Sequence, residues 1–481
     1  VGAAAGVLCG FVRRGGGDAP AVAWMAVAAA LFYPFSSEFN HIQRDPWMLL
    51  PAALAARLRL RRVCGVALAL QPAPVSGLGP PNQNSSVTPA SPVGYSTHKF
   101  IDSNGLSPDR GSDPVGGWVL LSSLLEGFLW GVAVWLKPHV IVPALAVWAV
   151  SAVLIARREP GRRVRADLGA LVAGGLVAGA PGIAWLVATG AWPHFLDVFL
   201  NWNPAYLADA GPVGARFETA FTCHRPWGLL HFLALPIAAV SLWEARVWSR
   251  AAGEPAVVPR FSGLYARAEG GSAAAARALL AALYLGWFAQ TAVLQKALDY
   301  VYVPLLLLAF AVVAAQRWRF GFAYLVWFVA VGALVNLAER HPGAAPVVRA
   351  LDPAYPAVKF EKHPLANGEV MGLWRRAWSE GGTPELRDRL GQYTDIHCGT
   401  QWRELNQVAD FLRTVEPRLG PGELNCWHDS THPLYLMLDL DPATRYMHYG
   451  TAFAIRDTPR PGEKPKRQVV ADAVRASRQR Y

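Results

Sequence analysis

The chain has 481 residues, of which 53% are hydrophobic and only 16% charged, and it contains 19 Trp. Because an ordinary soluble domain is about 25% charged, this composition argues against a soluble enzyme, a disordered protein or a disulfide scaffold. The net charge of +11 would suit nucleic acid, but most basic residues occur in short Arg clusters between apolar runs rather than on a polar basic surface. Five Cys give neither zinc-type spacing nor a disulfide framework.

Apolar runs recur along the chain at the length that a bilayer-crossing helix needs, about 20 residues. A partial run opens the chain at Val1–Val12 without an initiating Met, so we expect an upstream piece to be missing. With that run the sequence predicts about ten transmembrane helices. The other runs are Ala19–Phe35, Pro46–Leu58, Trp118–Leu136, Val140–Ala156, Leu168–Ala188, Pro226–Trp243, Ala273–Leu294, Tyr300–Ala315 and Phe320–Leu337.

Clusters of Arg predict how these helices are oriented, since short cytoplasmic loops collect Lys and Arg. The clusters lie at residues 13–14, 57–62, 157–165, 246–267 and 317–319. When every cluster is placed inside, the runs alternate across the membrane without a leftover helix. The external segments are then Ser36–Asp45, Lys137–His139, Trp192–Arg225, Gln295–Asp299 and everything from Ala338 onward.

Two segments differ in composition from the membrane core at residues 118–337. Residues 71–117 are rich in Pro, Ser, Gly and Asn, so we predict a disordered cytoplasmic insertion between this core and the truncated helices of residues 1–70. Within residues 338–481, Trp402–Val415 has helical apolar spacing, whereas Leu434–Leu440 fits a strand or a short helix. We therefore expect an all-α polytopic membrane protein with a small α/β extracytoplasmic C-terminal domain.

Ionisable residues are concentrated in the external segment that precedes Pro46. Glu38, His41, Arg44 and Asp45 all lie in this segment. Ionisable groups at the membrane are costly unless they are solvated or paired, and they are functional by default. The alternative is a solvated turn with an Arg44/Asp45 surface pair that contributes little.

Two further external turns each place a lysine beside the membrane. These lysines are Lys137 and Lys296. Snorkelling of the ammonium group to the lipid headgroups would explain such residues, but a cation at this depth also suits a lipid-linked phosphate. The same turns carry further candidates for substrate binding, of which the Tyr residues also fit an interfacial aromatic belt. These candidates are His139, Asp299, Tyr300 and Tyr302.

Common catalytic and metal-binding motifs are missing from the sequence. No Walker A, GxGxxG, HExxH or GxSxG pattern occurs, so we do not expect nucleotide-driven or hydride chemistry. His428 and His432 are four residues apart, but Pro433 follows at once and argues against a continuous helix that presents both. We therefore predict no metal site.

Three short stretches carry a resemblance to a known family: Gln43–Leu50, Gly131–Pro138 and Tyr300–Leu306. With the order of the apolar runs, they resemble the polytopic GT-C glycosyltransferases. The likeness is to family 39, which includes protein O-mannosyltransferases and lipid A aminoarabinose transferases. It covers roughly Val1 to Leu337 in topology.

This resemblance implies an enzyme that moves a sugar from a polyprenyl-phosphate donor to an acceptor hydroxyl on the extracytoplasmic face of a bacterial inner membrane. A phosphate leaving group needs fixed cations, and the resemblance assigns that role to Lys137, Lys296 and Arg44. The resemblance also implies that Asp45 acts as an acidic helper. The residues that would contact substrate are Glu38, His41, His139, Asp299, Tyr300 and Tyr302.

The same resemblance places the catalytic acid in a first external loop that would lie upstream of Val1, so we expect the general base to be absent from these residues. The acceptor can be a protein, a lipid or a glycan, and the use of a divalent cation is undecided. The alternatives are a transporter or flippase for a lipid-linked or anionic substrate, which predicts internal repeats that the sequence lacks, and a non-catalytic membrane scaffold. Nucleic acid is not an expected partner.

Overall fold

The computed structural model is helical in the parts of the chain that it describes. These parts are residues 1–33, 44–69, 114–156, 161–208, 211–224, 227–251, 271–316, 326, 368–392, 401–415, 418–428, 431–444 and 464–477. The all-α class is therefore confirmed. No strand occurs in these ranges, so the predicted α/β character of the C-terminal domain is not found there.

The described helices within residues 1–316 form a bundle around one apolar core. In chain order they are α1 (Gly2–Gly15), α2 (Ala19–Phe32), α3 (Arg44–Ala69), α4 (Pro114–Leu136), α5 (Ile141–Ala156), α6 (Gly161–Ala188), α7 (Trp192–Asp197), α8 (Asn203–Ala208), α9 (Val213–Thr222), α10 (His231–Ala251), α11 (Gly271–Leu294) and α12 (Asp299–Ala314). A 3-10 turn at Pro138–Val140 precedes α5. Helix α11 is central, since it packs against α1, α3, α5, α9, α10 and α12.

Four helical segments among the described residues are long and apolar enough to cross a membrane. They are Pro138–Ala156, Gly161–Ala188, Trp227–Val247 and Ser272–Leu294. The prediction of about ten spans is therefore not supported. Shorter apolar helices account for three of the missing spans: Ala19–Ala30, Leu120–Leu136 and Tyr300–Ala314. The run Phe320–Leu337 lies outside the described residues except for residue 326.

The exposed face of α6 supports a membrane environment. Leu176 and Trp185 on this helix are 67% and 63% exposed. Extended apolar surface of this kind is rare on soluble monomers and marks contact with a membrane or a partner. The bundle thus has the apolar exterior that the sequence composition predicts.

Glycines bring α4 and α6 into backbone contact. A Cβ atom added to Gly127 of α4 would lie 1.9 Å from the carbonyl oxygen of Leu171, and one added to Gly174 of α6 would lie 2.0 Å from that of Leu124. Small residues permit such close approach between membrane helices. Gly131 follows Gly127 by one turn of α4, and it faces Gly175, which follows Leu171 by one turn of α6. The two helices therefore run parallel. This direction is the one expected if α5 reverses the chain between them.

Helix α3 is longer than its apolar run. The sequence predicts an end at Leu58 followed by a cytoplasmic Arg cluster, but α3 continues to Ala69. Arg is a good helix former, and Arg59 and Arg62 are buried against other helices. These two residues are therefore part of the bundle rather than of a loop. The predicted insertion at residues 71–117 lies outside the described residues except for the first residues of α4.

The predicted external segment that begins at Trp192 is helical from its start. A π-helical turn at Val198–Trp202 joins α7 to α8. Phe195 stacks on Trp135 with ring centroids 6.3 Å apart, whereas Phe199 remains 45% exposed. An exposed apolar stripe beside polar residues is typical of a helix that lies in the membrane interface.

The described part of the C-terminal region has its own small apolar core. Its helices are α13 (Gly368–Glu380), α14 (Pro384–Gly391), α15 (Trp402–Thr414), α16 (Pro433–Leu438) and α17 (Lys466–Ala476). The helix predicted at Trp402–Val415 is confirmed as α15. Leu434–Leu440, for which a strand and a helix both fitted, begins inside α16. Pro433 favours the helix because its φ is preset for the first helical turn.

Candidate functional site

Lys137 and Asp45 form an ion pair at one end of the bundle. The Lys137 Nζ atom lies 2.5 Å from Asp45 Oδ1, and the two side chains are 18% and 3% exposed. Asp45 belongs to the first turn of α3, and Lys137 directly follows α4. Two segments that the sequence predicts to be external therefore meet through their charged residues.

Tyr300 completes this cluster from a third segment. The Lys137 Nζ atom is 5.6 Å from the centroid of the Tyr300 ring, which is within the range of a cation–π contact. Tyr300 lies in the first turn of α12. We call Asp45, Lys137 and Tyr300 the lysine site.

Local sequence explains why Lys137 occupies this position. The residue before a proline is disfavoured in helical conformation, and Lys137, which precedes Pro138, has φ −154° and ψ 111°. This extended residue ends α4 at Leu136, and a 3-10 turn begins at Pro138. The turn packs against α4, α5 and α11, so the lysine is fixed between helices rather than carried by a free loop.

Burial sets the electrostatics of Lys137. Removal from water lowers the pKa of its ammonium group, and the Asp45 carboxylate opposes this effect. Ion pairing is stronger where water is scarce. The site therefore holds a cation paired with the Asp45 carboxylate, and an anion such as a phosphate could share that cation.

The other predicted cations lie near the same end of the bundle. Arg44 precedes Asp45 in α3 and is exposed. Lys296 is half-buried in the connection between α11 and α12, four residues before Tyr300, so at most roughly 14 Å of chain separates the two. His139 is half-buried within the 3-10 turn.

One of the remaining predicted site residues, Tyr302, makes a structural contact. The side chains of the other three are not described by the structure. Tyr302 is 1% exposed, and its hydroxyl donates a hydrogen bond of 2.9 Å to the Arg216 carbonyl oxygen, so it ties α12 to α9. Glu38 and His41 lie outside the described residues. Asp299 opens α12, but its side chain is also outside the description.

A second charged cluster, which we call the charge network, lies inside the bundle. Arg59 Nε is 2.8 Å from Glu126 Oε2, and Arg59 Nη1 is 2.5 Å from Asp167 Oδ2. Arg62 donates to the same Asp167 carboxylate and to Ser123, whose hydroxyl donates to Asp167 at 2.7 Å. None of these side chains exceeds 8% exposure, and they join α3, α4 and α6.

This network could not be recognised from the sequence, because its members belong to different sequence patterns. Arg59 and Arg62 were part of an apparent cytoplasmic cluster, and Glu126 stood alone in an apolar run. That isolated glutamate was the available signal, since an ionisable residue within an apolar helix needs a partner. Arg59 is 14 residues from Asp45 along α3, or about 21 Å at 1.5 Å per residue, so the network and the lysine site are separate.

Metal ligands are not grouped in the part of the chain that the structure describes: it contains no cluster of three or more His, Cys, Asp or Glu that could hold an ion.

Comparisons with protein-family models, with curated proteins and with solved structures find no match to this chain.

Proposed function

We propose that this protein is an integral-membrane glycosyltransferase that takes a sugar from a polyprenyl-phosphate donor at the extracytoplasmic face of a bacterial inner membrane. The observation that carries the proposal is the convergence of Asp45, Lys137 and Tyr300 from three predicted external segments. In this proposal Lys137 binds the donor phosphate, with Lys296 and Arg44 as neighbouring cations.

The lysine site has the features that a phosphate leaving group requires. A cation held in place before the reaction stabilises charge as it develops on the departing oxygen. Asp45 and the Tyr300 ring position the Lys137 ammonium, so little reorganisation is needed when phosphate arrives. The phosphate of a membrane-embedded polyprenyl lipid lies at the membrane surface, which is where the predicted topology places this lysine.

The reaction follows from these roles. The bond between the anomeric carbon and the phosphate oxygen breaks, and the oxygen leaves with the electron pair towards Lys137. The acceptor hydroxyl forms the new bond and gives its proton to a carboxylate base. In this proposal the lysine site binds and orients the donor, and a carboxylate outside that site serves as the base.

Lys137→Ala is expected to weaken binding of a polyprenyl-phosphate sugar by about 10- to 100-fold, because a charge-assisted hydrogen bond contributes about 1.5–3 kcal/mol. Binding can be measured by titration of the purified protein in lipid nanodiscs.

The double variant Asp45→Asn/Lys137→Met removes both charges and avoids an unpaired buried carboxylate, and it should show the same loss. Arg376→Ala, which removes an exposed ion pair with Glu380, is the matched control. Unchanged affinity in the first two variants would refute the phosphate role.

Donor binding should also fall as the pH rises. The ammonium form of Lys137 binds phosphate. Because burial lowers the pKa of this group, it loses its proton at a lower pH than an ordinary lysine, whose pKa is about 10.4. A phosphodiester keeps its charge over this range. Titrations between about pH 7 and pH 11 should show the loss in the wild type. Lys137→Arg, which stays charged, should give a flat profile, and a flat wild-type profile would contradict the proposal.

A second candidate function is favoured by the charge network. Ionisable residues within membrane helices mark ion and substrate pathways in transporters, so Arg59, Glu126 and Asp167 suit a transporter or flippase for an anionic lipid. The glycosyltransferase is preferred because the network is closely packed and its two arginines balance its two carboxylates. Such a network suits a structural role in holding the helices together. Movement of a fluorescent polyprenyl phosphate across proteoliposomes, lost in Glu126→Gln, would favour the transporter instead.

A further inference from the structure

Three polar side chains at the C-terminal end of α11 are buried without hydrogen-bond partners among the residues that the structure describes. Gln290, Thr291 and Gln295 are 0%, 1% and 3% exposed. Within the described ranges, both amide atoms of each glutamine and the Thr291 hydroxyl have no hydrogen-bond partner. Buried polar groups are nearly always paired in native proteins, so a group of exceptions requires an explanation.

These side chains lie close together along the chain. Gln290 and Thr291 belong to the last turns of α11, and Gln295 directly follows its final residue, Leu294. Trp287, one turn before Thr291, continues the stripe, and its indole nitrogen also lacks a partner. We call Gln290, Thr291 and Gln295 the amide stripe.

A chain of contacts connects the amide stripe to the lysine site. Arg216 Nη1 donates to the carbonyl oxygens of Val293 and Gln295 at 2.8 and 3.2 Å. The Arg216 carbonyl accepts from Tyr302, which is two residues from Tyr300. The Tyr300 ring contacts Lys137. The stripe therefore lies at the same end of the bundle as the lysine site.

The chemistry of the stripe selects a neutral polyhydroxyl ligand. A glutamine amide both donates and accepts, and a threonine hydroxyl does the same, which matches neighbouring sugar hydroxyls. The stripe itself carries no charge, so it has no preference for an ion. The nearby Arg216 guanidinium is already directed at backbone carbonyls.

We infer that the amide stripe is a sugar-binding subsite, in which Gln290, Thr291 and Gln295 bind hydroxyl groups of the donor sugar while Lys137 holds its phosphate. This inference rests on the proposed function, because it assigns the sugar moiety of the same lipid donor. The stripe is enclosed in this structure, so binding includes an outward movement of the non-helical connection at residues 295–298. The partnerless amides are then satisfied by the ligand.

Paired lipid probes test the inference with purified protein in nanodiscs. One probe is polyprenyl phosphate without a sugar, and the others are its mannose, glucose and arabinose conjugates. Gln290→Leu should lower affinity for the preferred conjugate about tenfold, the equivalent of one or two hydrogen bonds, and leave affinity for the bare lipid unchanged. Its melting temperature should stay level or rise, since an apolar side chain replaces two unsatisfied atoms. Gln295→Leu should behave in the same way.

Gln316→Leu is the matched control, because Gln316 is a buried glutamine just beyond the opposite end of α12 that bonds Ser241 and Val312. It should not change the affinity for either kind of probe. Full sugar preference in both stripe variants would overturn the inference, and so would a wild type that binds bare and conjugated lipids equally. In either of those cases the proposed function stands if Lys137→Ala still weakens binding of all the probes. A wild type that binds no probe would overturn both.

Discussion

Asp167→Asn is expected to destabilise the protein by about 3–5 kcal/mol. Asp167 is 1% exposed and accepts hydrogen bonds from Arg59 and Arg62. Its neutralisation leaves two buried guanidinium groups with one carboxylate, that of Glu126, and an uncompensated buried charge costs several kcal/mol. Thermal unfolding of the detergent-solubilised protein measures the loss.

Asp410→Asn is the control for this prediction. Asp410 also pairs with an arginine, Arg413, but the two side chains are 73% and 51% exposed. Exposed pairs contribute about 0–1 kcal/mol, so this variant should unfold close to the wild type. Equal stability of Asp167→Asn and Asp410→Asn would show that the charge network does not hold α3, α4 and α6 together.

Gly127→Val is expected to cost about 3 kcal/mol through a different mechanism. The added Cβ would lie 1.9 Å from the Leu171 carbonyl oxygen, and backbone atoms cannot move aside as a flexible side chain does. Helices α4 and α6 must therefore separate, and overpacking of this kind costs about 1–3 kcal/mol or more. The measurement is again thermal unfolding in detergent.

Gly179→Val on α6 separates this clash from the effect of valine on a helix. Nothing lies within 4 Å of a Cβ added at Gly179, so only the small propensity difference remains. The predicted result is a marked loss of melting temperature for Gly127→Val alone. Identical melting temperatures for the two variants would contradict the backbone contact between α4 and α6.

The class of the fold could be predicted from the sequence because apolar periodicity is a local property. Trp402–Val415 shows helical spacing, and helix α15 occupies Trp402–Thr414. Boundaries set by tertiary contacts could not be predicted. Helix α3 passes through its Arg cluster because carboxylates on other helices neutralise Arg59 and Arg62, and no pattern within α3 records those partners.

The candidate site was partly predictable for the same reason. Lys137, Asp45 and Tyr300 each stood out as a polar or aromatic residue beside an apolar run, but their convergence depends on how α3, α4 and α12 pack. Gln290 gave no signal, since a single glutamine in an apolar helix is compatible with a paired or an exposed position. Its lack of a partner is visible only once the neighbouring helices are in place.

Sugar transfer in membranes tests the central proposal most directly. Membranes that contain the protein, expressed with whatever sequence its gene places before Val1, are incubated with radiolabelled polyprenyl-phosphate sugars. We predict transfer of the label to an endogenous acceptor, and its loss in Asp45→Asn/Lys137→Met at an unchanged protein level. A folded wild-type protein that transfers no label from any of these donors would contradict the assignment as a glycosyltransferase.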